Sequence, residues 1–370
     1  MSYQEDYAAM KEPGATTMPL QKPARFGRFS PRTVIFVGVA AALIVIGLAV
    51  GLGVGLGIGH GNGGGNDESQ SPPISTPIPP PTGNGTVWQP AVNSTWQIVL
   101  KEPIKISAEN KTTEPDVEIF DIDLFSNSNE TIRQLHDLGK KVICYFSGGS
   151  YEPYRPDSSQ FQLSVLGKAL DGWDDEKWID IRSESVRDIM AARIKLAYEK
   201  GCDAVDPDNV DAYVRSVQCS LILRLMLTML QNNENGLDLT QADTVSFMAY
   251  LANVTNSYNM SVGLKNAGEV LTNLTSVVHF SVNEQCVQYK ECETFAPMIQ
   301  AGKPVFHIEY PRGAPGGISG KTAASSCSRS GAGQGSDDFS SLLKGELLDG
   351  WVEFCDRSTA NTTMISEGAV

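Results

Sequence analysis

The segment from Cys202 to Tyr213 reads CDAVDPDNVDAY and surrounds a short apolar run with acidic and amide side chains. Those side chains belong to Asp203, Asp206, Asp208, Asn209 and Asp211. Because side chains alternate along a strand, Ala204, Asp206 and Asp208 are expected on one face, and Pro207 predicts the end of strand pairing. Like charges this close are unfavourable unless something uses them. The segment therefore indicates either a polar turn or the rim of an active site.

Apolar, β-rich runs alternate with helical patterns on both sides of this segment. The strand candidates are Trp96–Leu100, Val117–Phe125, Lys141–Ser147, Trp178–Ile181, Asp203–Asp206, Ser261–Lys265, Val277–Asn283 and Pro304–Glu309. The helix candidates are Glu130–Leu138, Ser185–Glu199, Gln241–Ser257, Glu291–Ala301 and Asp338–Phe354. Such alternation predicts an α/β fold with a parallel sheet, here a (β/α)8 TIM-type barrel. A doubly wound open sheet is the alternative, although no glycine-rich fingerprint opens a helix.

Polar residues collect at the carboxyl ends of six predicted strands, which is where barrel enzymes carry their chemistry. They are Asp121 and Asp123, Tyr145 and Ser147, Asp206 and Asp208, Lys265 and Asn266, Asn283 and Glu284, and Glu309 and Tyr310. Two carboxylates on separate strand ends, without a Ser-His-Asp arrangement, point to glycoside hydrolysis. We predict that Asp208 and Glu284 are the catalytic pair, one donating a proton and the other attacking the sugar or activating water. Taken alone, Asp208 is as readily a turn or helix-capping residue.

The N-terminal region predicts a membrane anchor. No residue from Thr33 to Gly59 is charged, and this run exceeds the roughly 20 apolar residues that span a bilayer. Arg25, Arg28 and Arg32 precede it, which places residues 1–32 in the cytosol. We therefore expect a single transmembrane helix and a type II plasma-membrane protein with an extracellular catalytic domain, or one shed to the cell wall or medium.

Sequons and cysteines agree with an extracellular location. Every Asn-x-Ser/Thr sequon falls after the anchor: Asn84, Asn93, Asn110, Asn129, Asn253, Asn259, Asn273 and Asn361. The seven cysteines suit an oxidising compartment. Cys286 and Cys292 are spaced for a short loop bridge, and Cys327 with Cys355 could tie down the C-terminal helix. Only four histidines are present and none has ligand spacing to a cysteine pair, so no metal and no other cofactor is predicted.

Composition divides the rest of the chain. Residues 60–94 are rich in Pro, Gly and Ser and predict a spacer, residues 95–357 predict the barrel, and residues 358–370 predict a tail. Within the barrel, residues 214–231 (VRSVQCSLILRLMLTMLQ) are largely apolar and free of glycine and acids. This atypical insertion is either a helix over the cleft or a translated intron, since Val and Gln codons can supply intron borders. Its removal leaves an even six cysteines, which favours the intron.

Six segments resemble, in order, glycoside hydrolase family 114. They are DIDLFSNSNETIRQLHDLGKKVICYFSGGSYEPYRPD, LGKALDGWDDEKWIDIR, GCDAVDPDNVDAY, VGLKNAGE, SVNEQCVQYKEC and AGKPVFHIEY. The resemblance covers Trp96 to Cys355 and implies a (β/α)8 barrel that cleaves, from within the chain, α-1,4-linked galactosamine stretches of a cationic polysaccharide such as galactosaminogalactan. Asp208 and Glu284 match the family's proposed catalytic carboxylates. This similarity favours a retaining reaction with Asp208 as nucleophile and Glu284 as general acid/base, although the two roles could be exchanged.

The charge of the chain suits such a substrate. The formal net charge is −14, and because the stretch 1–60 carries five basic and three acidic side chains, the remainder carries −16. That balance argues against a nucleic-acid partner and favours a cationic one. The predicted ammonium acceptors are Asp121, Asp123, Asp206, Asp211 and Glu309, with Asn209 as a further contact. The predicted sugar platforms are Tyr145, Tyr151, Trp173 and Tyr310, although Trp173 could equally be a packing residue.

Lys265 is predicted to hold a carboxylate ionised, or to form a plain ion pair. The alternative to hydrolysis is a cell-surface protein that binds cationic polysaccharide without cutting it.

Overall fold

The computed structural model describes residues 87–107, 112–213 and 235–365. The predicted anchor at 33–59, most of the spacer and the insertion at 214–231 lie outside these ranges, as do the sequons at Asn84 and Asn110. In the described ranges, no helix combines the length and the hydropathy needed to cross a bilayer. The anchor thus remains a prediction.

The described ranges contain the following strands and α-helices. The strands are β1 (Trp96–Val99), β2 (Ile119–Asp123), β3 (Lys141–Ser147), β4 (Ser150–Tyr151), β5 (Leu166–Leu170), β6 (Trp173–Ile179), β7 (Ala204–Asp208), β8 (Ser261–Lys265), β9 (Phe280–Glu284), β10 (Val305–Glu309), β11 (Ser340–Leu343), β12 (Trp351–Phe354) and β13 (Thr359–Asn361). The helices are α1 (Asn129–Asp137), α2 (Glu184–Lys200), α3 (Gln241–Ser257), α4 (Leu271–Leu274), α5 (Cys286–Tyr289), α6 (Ala296–Gln300) and α7 (Gly320–Ser326).

Eight parallel strands form a curled sheet of the TIM type. Their order is β1-β2-β3-β7-β8-β9-β10-β11, and β12 and β13 extend the sheet in antiparallel fashion. The first and eighth parallel strands meet through side chains: Trp96 Nε1 donates to the Ser340 carbonyl (2.8 Å), and Ser340 Oγ donates to the Ser94 carbonyl (2.7 Å). The expectation of a barrel-type parallel sheet is confirmed.

One of the eight predicted barrel strands and one predicted helix were assigned incorrectly. Trp178 and Ile179 belong to β6, which pairs with β4 and β5 in a separate antiparallel sheet. The predicted helix Asp338–Phe354 contains β11 and β12 instead. The edge of β10 offers β11 a row of backbone partners from Phe306 to Glu309, and such long-range pairing overrides local propensity.

Alternation along the strands divides the core into two layers. Trp96, Ile119, Ile143 and Phe306 are buried inside the curl of the sheet, where Trp96 and Phe306 stack at 5.0 Å. The intervening residues pack outward against the helices in a second, larger cluster. Successive side chains of a strand face opposite sides of the sheet. The position of a polar residue at a strand end therefore determines whether it faces the inside of the curl or the helices.

Three disulfides join the described cysteines. Cys286–Cys292 closes the predicted short loop and Cys327–Cys355 is also formed, although it ties α7 to the end of β12 and not to a C-terminal helix. Cys144–Cys202 joins β3 to the start of β7. The seventh cysteine, Cys219, lies outside the described ranges.

The folded unit extends beyond the predicted limits of 95 and 357. At the N-terminal side, Gln89 Nε2 donates to the His279 carbonyl (2.7 Å) and the Trp88 carbonyl accepts a hydrogen bond from Ser261. At the C-terminal side, β13 pairs with β12 and Met364 bridges to Ile104. Residues on both sides of the predicted barrel therefore contribute to its structure.

Candidate active site

Asp208 ends β7 at the carboxyl end of the parallel sheet and is held by three donors. Its Oδ2 accepts the Tyr145 hydroxyl hydrogen (2.9 Å) and lies 3.2 Å from Lys265 Nζ. Its Oδ1 accepts from the backbone N–H of Asn209 (2.7 Å). Because 17% of its side chain is exposed, Asp208 is available to a substrate.

The turns after β3 and β7 position this carboxyl group. The N–H groups of Gly148 and Gly149 both donate to the Asp208 carbonyl (2.8 and 3.0 Å). A Cβ at Gly149 would lie 1.8 Å from the Asn209 carbonyl oxygen, so only glycine fits there. Asn209 has a left-handed backbone (φ +58°), and its amide donates to Ser147 Oγ and Ser150 Oγ (3.0 and 3.2 Å). Asn209 thus stabilises the turn rather than facing the cleft.

Pro207 ends the pairing of β7 on one side only. Pairing with β8 stops at Val205 opposite Val262, but pairing with β3 continues through Pro207 to Asp208 opposite Ser147. The expectation that pairing stops at Pro207 therefore needs correction. Proline removes the N–H that β8 would have bound, while β3 still carries the strand to its end.

Glu284 ends β9 in the same manner. Its Oε2 accepts from Asn266 Nδ2 (3.1 Å), and its backbone N–H donates to Asn266 Oδ1 (2.9 Å). Its Oε1 accepts the Tyr310 hydroxyl hydrogen. About a quarter of the side chain is exposed, at 23%. Glu284 is therefore held by neighbours on both sides yet still reaches solvent.

Lys265 lies between the two carboxyl groups. Its Nζ is 3.2 Å from Asp208 Oδ2 and 3.4 Å from Glu284 Oε2, and its side chain is 1% exposed. The two oxygens can therefore be no farther apart than the sum of these two distances. Although burial opposes its charge, Asp208 and Glu284 hold the pKa of Lys265 well above its ordinary value. The site thus contains one permanent cation between two carboxyl groups.

The surroundings favour an ionised Glu284. Burial opposes its charge, but Lys265, the Tyr310 hydroxyl and the Asn266 amide together hold the pKa of Glu284 below its usual value. Burial and the neighbouring carboxylates raise the pKa of Tyr145 and Tyr310. Both phenols therefore stay protonated and act as hydrogen-bond donors to the carboxyl groups.

Asp121 and Asp206 lie beneath this site and do not reach the cleft. Both are 0% exposed, so the expectation that they accept substrate ammonium groups is corrected. Each is on the same face of its strand as a residue of the inner core, Ile119 on β2 and Ala204 on β7. A side chain two residues before the strand end points into the interior of the sheet rather than into the cleft.

The other predicted ammonium acceptors are dispersed. Asp123 Oδ2 forms a buried ion pair with Arg155 (2.7 Å). Glu309 faces the helices: its Oε1 accepts from the Val287 N–H (2.8 Å) and lies 3.0 Å from His307 Nε2. Because Tyr310 is the next residue, alternation turns Tyr310 toward Glu284 and Glu309 away from it. Asp211 is half-buried in the turn after β7.

The predicted aromatic platforms also separate into two groups. Tyr145 and Tyr310 contact the catalytic candidates directly. Tyr151 packs edge-on against Phe161 in the outer core (5.6 Å), so it does not join them. Trp173 begins β6 at the hairpin of the separate sheet and is 59% exposed, which contradicts a packing role and leaves its ring open to solvent.

Sequence reasoning missed a polar network that follows β3. Arg155 bonds Asp123 and Glu152 (2.7 and 2.8 Å), and the Tyr154 hydroxyl lies 2.9 Å from Glu152 Oε1 and 3.1 Å from Glu176 Oε1. The sequence signal is the charged and aromatic run EPYRPD, which begins at Glu152 and is separated from the Gly-Gly turn by two residues. The network holds Asp123 and the loop after β3 against the sheet.

One group in the described ranges has the spacing of a metal site. Cys286, Cys292 and His307 bring one sulfur or nitrogen atom each within 4.8 Å of one another. The two cysteines form a disulfide, so neither offers the thiolate that binds zinc. His307 instead bonds Glu309 and Ser341.

Two carboxyl groups at the carboxyl ends of the strands of a TIM-type sheet are an arrangement typical of glycoside hydrolases. Residues 78–360 match the model of glycoside hydrolase family GH114, and the chain belongs to this family. The chain is 44% identical to Ega3 of Aspergillus fumigatus, solved in complex with galactosamine, with a TM-score of 0.63 over 74% of this chain and 100% of that one.

A second solved structure is more distant. The glycoside hydrolase domain of PelA from Pseudomonas aeruginosa is 13% identical, with a TM-score of 0.48 over 69% of this chain and 96% of that domain. A search among curated proteins returns no match.

Proposed function

We propose that the protein is an endo-acting hydrolase of α-1,4-linked galactosamine stretches in a cationic polysaccharide. The observation that carries this proposal is the placement of Asp208 and Glu284 on either side of Lys265 Nζ, at 3.2 and 3.4 Å. The similarity to Ega3, which binds galactosamine, supports the substrate class. The net charge of −16 beyond position 60 would attract a polymer of ammonium sugars.

The proposed reaction is a double displacement. Glu284 donates its proton to the glycosidic oxygen while Asp208 attacks the anomeric carbon and forms a glycosyl ester. Glu284, now ionised, then removes a proton from the water that attacks the same carbon and releases Asp208. Lys265 suits the second step: once Asp208 is esterified, the ammonium group pairs with Glu284 alone and stabilises it as the base. Because Lys265, Tyr310 and Asn266 hold the pKa of Glu284 below its usual value, the first step, which needs the protonated acid, is favoured at low pH.

The separation of the two carboxyl groups is compatible with retention. Their nearest oxygens are no farther apart than 3.2 Å plus 3.4 Å, the two distances to Lys265 Nζ. Retaining enzymes separate their carboxyl groups by about 5–5.5 Å and inverting enzymes by about 6.5–9.5 Å. The upper limit of the oxygen–oxygen distance therefore includes the range for retaining enzymes and reaches only the lower end of the range for inverting enzymes. We therefore propose Asp208 as nucleophile and Glu284 as general acid/base.

Digestion of the deacetylated polymer tests this function. The wild-type domain should release short oligosaccharides whose newly formed reducing ends begin in the α configuration, as followed by NMR. Asp208→Asn and Glu284→Gln should each lower the rate by at least about 100-fold. Glu309→Gln is the matched control, because Glu309 is a buried acid on the other face of the sheet and should leave cleavage intact.

Two results would contradict the proposal. If both Asp208→Asn and Glu284→Gln still cleave the polymer at the wild-type rate, these two residues are not the catalytic carboxyl groups. Tight binding of the polymer without any oligosaccharide release would favour a non-catalytic cell-surface binder.

We further propose that this domain is extracellular and anchored through residues 33–59. The absence of charge in that segment and the six described sequon asparagines, all of them exposed, support this location. Protease digestion of intact cells that express the full chain should remove the catalytic domain and spare residues 1–32. Protection of the domain in intact cells would contradict it.

A further inference from the structure

In the part of the chain that the structure describes, two carboxyl groups beneath the site lack a hydrogen-bond partner. All four oxygens of Asp121 and Asp206 are buried without a partner among the residues that the structure describes, and both side chains are 0% exposed. A buried carboxylate without a donor is strongly unfavourable. Their chemical state therefore needs an explanation that the proposed reaction does not supply.

The charges around this pair are unbalanced. Asp206 feels the charges of Asp208 on its own strand, Lys265 on β8 and Glu284 on β9, and lies beside Tyr145 on β3 in the strand register. Asp121 on β2 feels the charges of Asp206, Lys265 and Asp208. Only Lys265 is cationic among these groups, and its two close contacts go to Asp208 and Glu284. Four ionised carboxyl groups around one ammonium group would leave a net charge of −3 at a site whose two lower carboxyl groups are fully buried.

The pKa shifts favour protonation of the two lower carboxyl groups, those of Asp121 and Asp206. Burial and the neighbouring carboxylates raise the pKa of Asp206 to about 7 and that of Asp121 well above its usual value. Glu284 shifts in the opposite direction because it has the Tyr310 hydroxyl, the Asn266 amide and Lys265 as donors. Among the residues at 87–107, 112–213 and 235–365, hydrogen-bond donors are thus concentrated on Asp208 and Glu284 and absent from Asp121 and Asp206.

We propose that Asp121 and Asp206 are positioning residues that act in the neutral, protonated form. In that form they leave the ammonium group of Lys265 in contact with Asp208 and Glu284. Neither residue contacts the substrate. When Asp206 loses its proton, a second negative charge arises beside Asp208 and draws the ammonium group of Lys265 toward the interior. Hydrolysis then requires a proton on Asp206 as well as on Glu284. This inference rests on the proposed hydrolase function.

The alkaline limb of the pH–rate profile tests the requirement for two protons. In the wild-type protein, log kcat/KM against pH should steepen above about pH 7, as the second required proton is lost. Asp206→Asn resembles the neutral acid, so it should keep activity within about tenfold at acidic pH and show the one-proton slope throughout. Titration of the substrate amino groups affects both proteins alike, and Glu309→Gln controls for the removal of a buried acid elsewhere.

Thermal unfolding tests the protonation state without any catalysis. An acid whose pKa is raised in the folded state stabilises the protein fully below its unfolded pKa, and this stability is lost as pH rises through the folded pKa. For Asp206 that window runs from 3.8 to about 7. The Tm of Asp206→Asn minus that of the wild type should therefore grow steadily from pH 4 to pH 7, while Asp206→Glu, which keeps an ionisable group, should retain the wild-type dependence.

The two measurements separate the possible failures. Three results would contradict the proposal that Asp121 and Asp206 are neutral. The first is an equal slope of the alkaline limb in wild type and Asp206→Asn. The others are a loss of more than about 100-fold in Asp206→Asn at acidic pH and a Tm difference that stays constant between pH 4 and 7. Absence of polymer cleavage by the wild-type protein would overturn the proposed function, and the Tm comparison would then still decide whether Asp206 is protonated.

Discussion

Tyr145 hydrogen-bonds Asp208 although the two residues are two positions out of register on neighbouring strands. The hydroxyl of Tyr145 donates to Asp208 Oδ2 over 2.9 Å, although the residue opposite Asp208 on β3 is Ser147 and the residue opposite Tyr145 is Asp206. The tyrosine side chain therefore extends from its position opposite Asp206 toward the end of β7. Its hydroxyl orients the carboxyl group of Asp208 there.

Tyr145→Phe should lower kcat and leave KM nearly unchanged. The substitution keeps the aromatic ring but removes one hydrogen bond to a charged group, which is worth about 1.5–3 kcal/mol, or roughly 10- to 150-fold in rate. Steady-state kinetics on the deacetylated polymer measure the effect. Tyr198→Phe is the control, since Tyr198 is an exposed tyrosine stacked on Tyr258. An unchanged kcat in Tyr145→Phe would show that this bond does not assist catalysis.

Lys265→Met should reduce activity and move the pH profile. Without the ammonium group, Asp208 and Glu284 repel each other and the pKa of Glu284 is no longer held down. The first alkaline limb of kcat/KM should therefore shift to higher pH, while kcat falls by at least about 100-fold. Lys195→Met removes an exposed lysine paired with Glu199 and should alter neither quantity. A limb that stays in place in Lys265→Met would contradict the assignment of Glu284 as the group that this lysine controls.

Lys344→Met should change how stability depends on pH. Lys344 follows β11 and is fully buried, with Nζ donating to the Asp349 carbonyl (2.7 Å) and Gln97 Oε1 (3.1 Å). Burial lowers the pKa of Lys344 from 10.5 to about 7. Between these values the unfolded chain binds more protons than the folded one, so wild-type stability rises as pH increases from 7 to 10.5.

The variant Lys344→Met has no ionisable group at this position, so its stability lacks the contribution from titration of Lys344. The Tm of Lys344→Met relative to the wild type should therefore be highest near pH 7 and decline toward pH 10, as measured by thermal melts in matched buffers. A Tm difference that does not vary with pH would mean that Lys344 stays charged in the folded protein.

Deletion of residues 214–231 should leave the fold and the three disulfides intact. The described chain stops at Tyr213 and resumes at Asn235, and the Asn235 amide donates to the Ala212 carbonyl. The two ends are therefore adjacent, and the remaining residues 232–234 can join them as a short turn. The deletion also removes Cys219, the cysteine without a place in the described pairs.

Circular dichroism melts and thiol titration of the deletion variant measure this outcome. We expect a Tm no lower than that of the full chain and no free thiol after purification. A cooperative transition that disappears in the variant would show that the segment is part of the folded unit. Sequencing of the transcript across this junction decides separately whether the segment is translated.

Local pattern alone pointed to both carboxyl groups of the candidate site. Asp208 and Glu284 end runs whose period-two alternation and flanking turn residues are visible in the sequence, and the structure places these carboxyl groups on either side of Lys265. The helix Gln241–Ser257 has the predicted bounds because its start is a local signal: Thr240 and Asp243 form a reciprocal cap. Strand ends and caps depend on residues a few positions apart, which a sequence displays directly.

Tertiary contacts decided the rest. Ser340–Leu343 is a strand because β10 offers it backbone partners, and Trp178 lies in a separate sheet because β4 and β5 pair with it. Asp206 and Asp208 look equivalent in the sequence, yet the Asp206 side chain is fully buried and that of Asp208 is 17% exposed. Glu309 and Tyr310 are adjacent, but only Tyr310 turns to Glu284. Burial and facing depend on residues distant in the chain, so the sequence can name the ionisable groups while only the assembled sheet determines which of them carry charge.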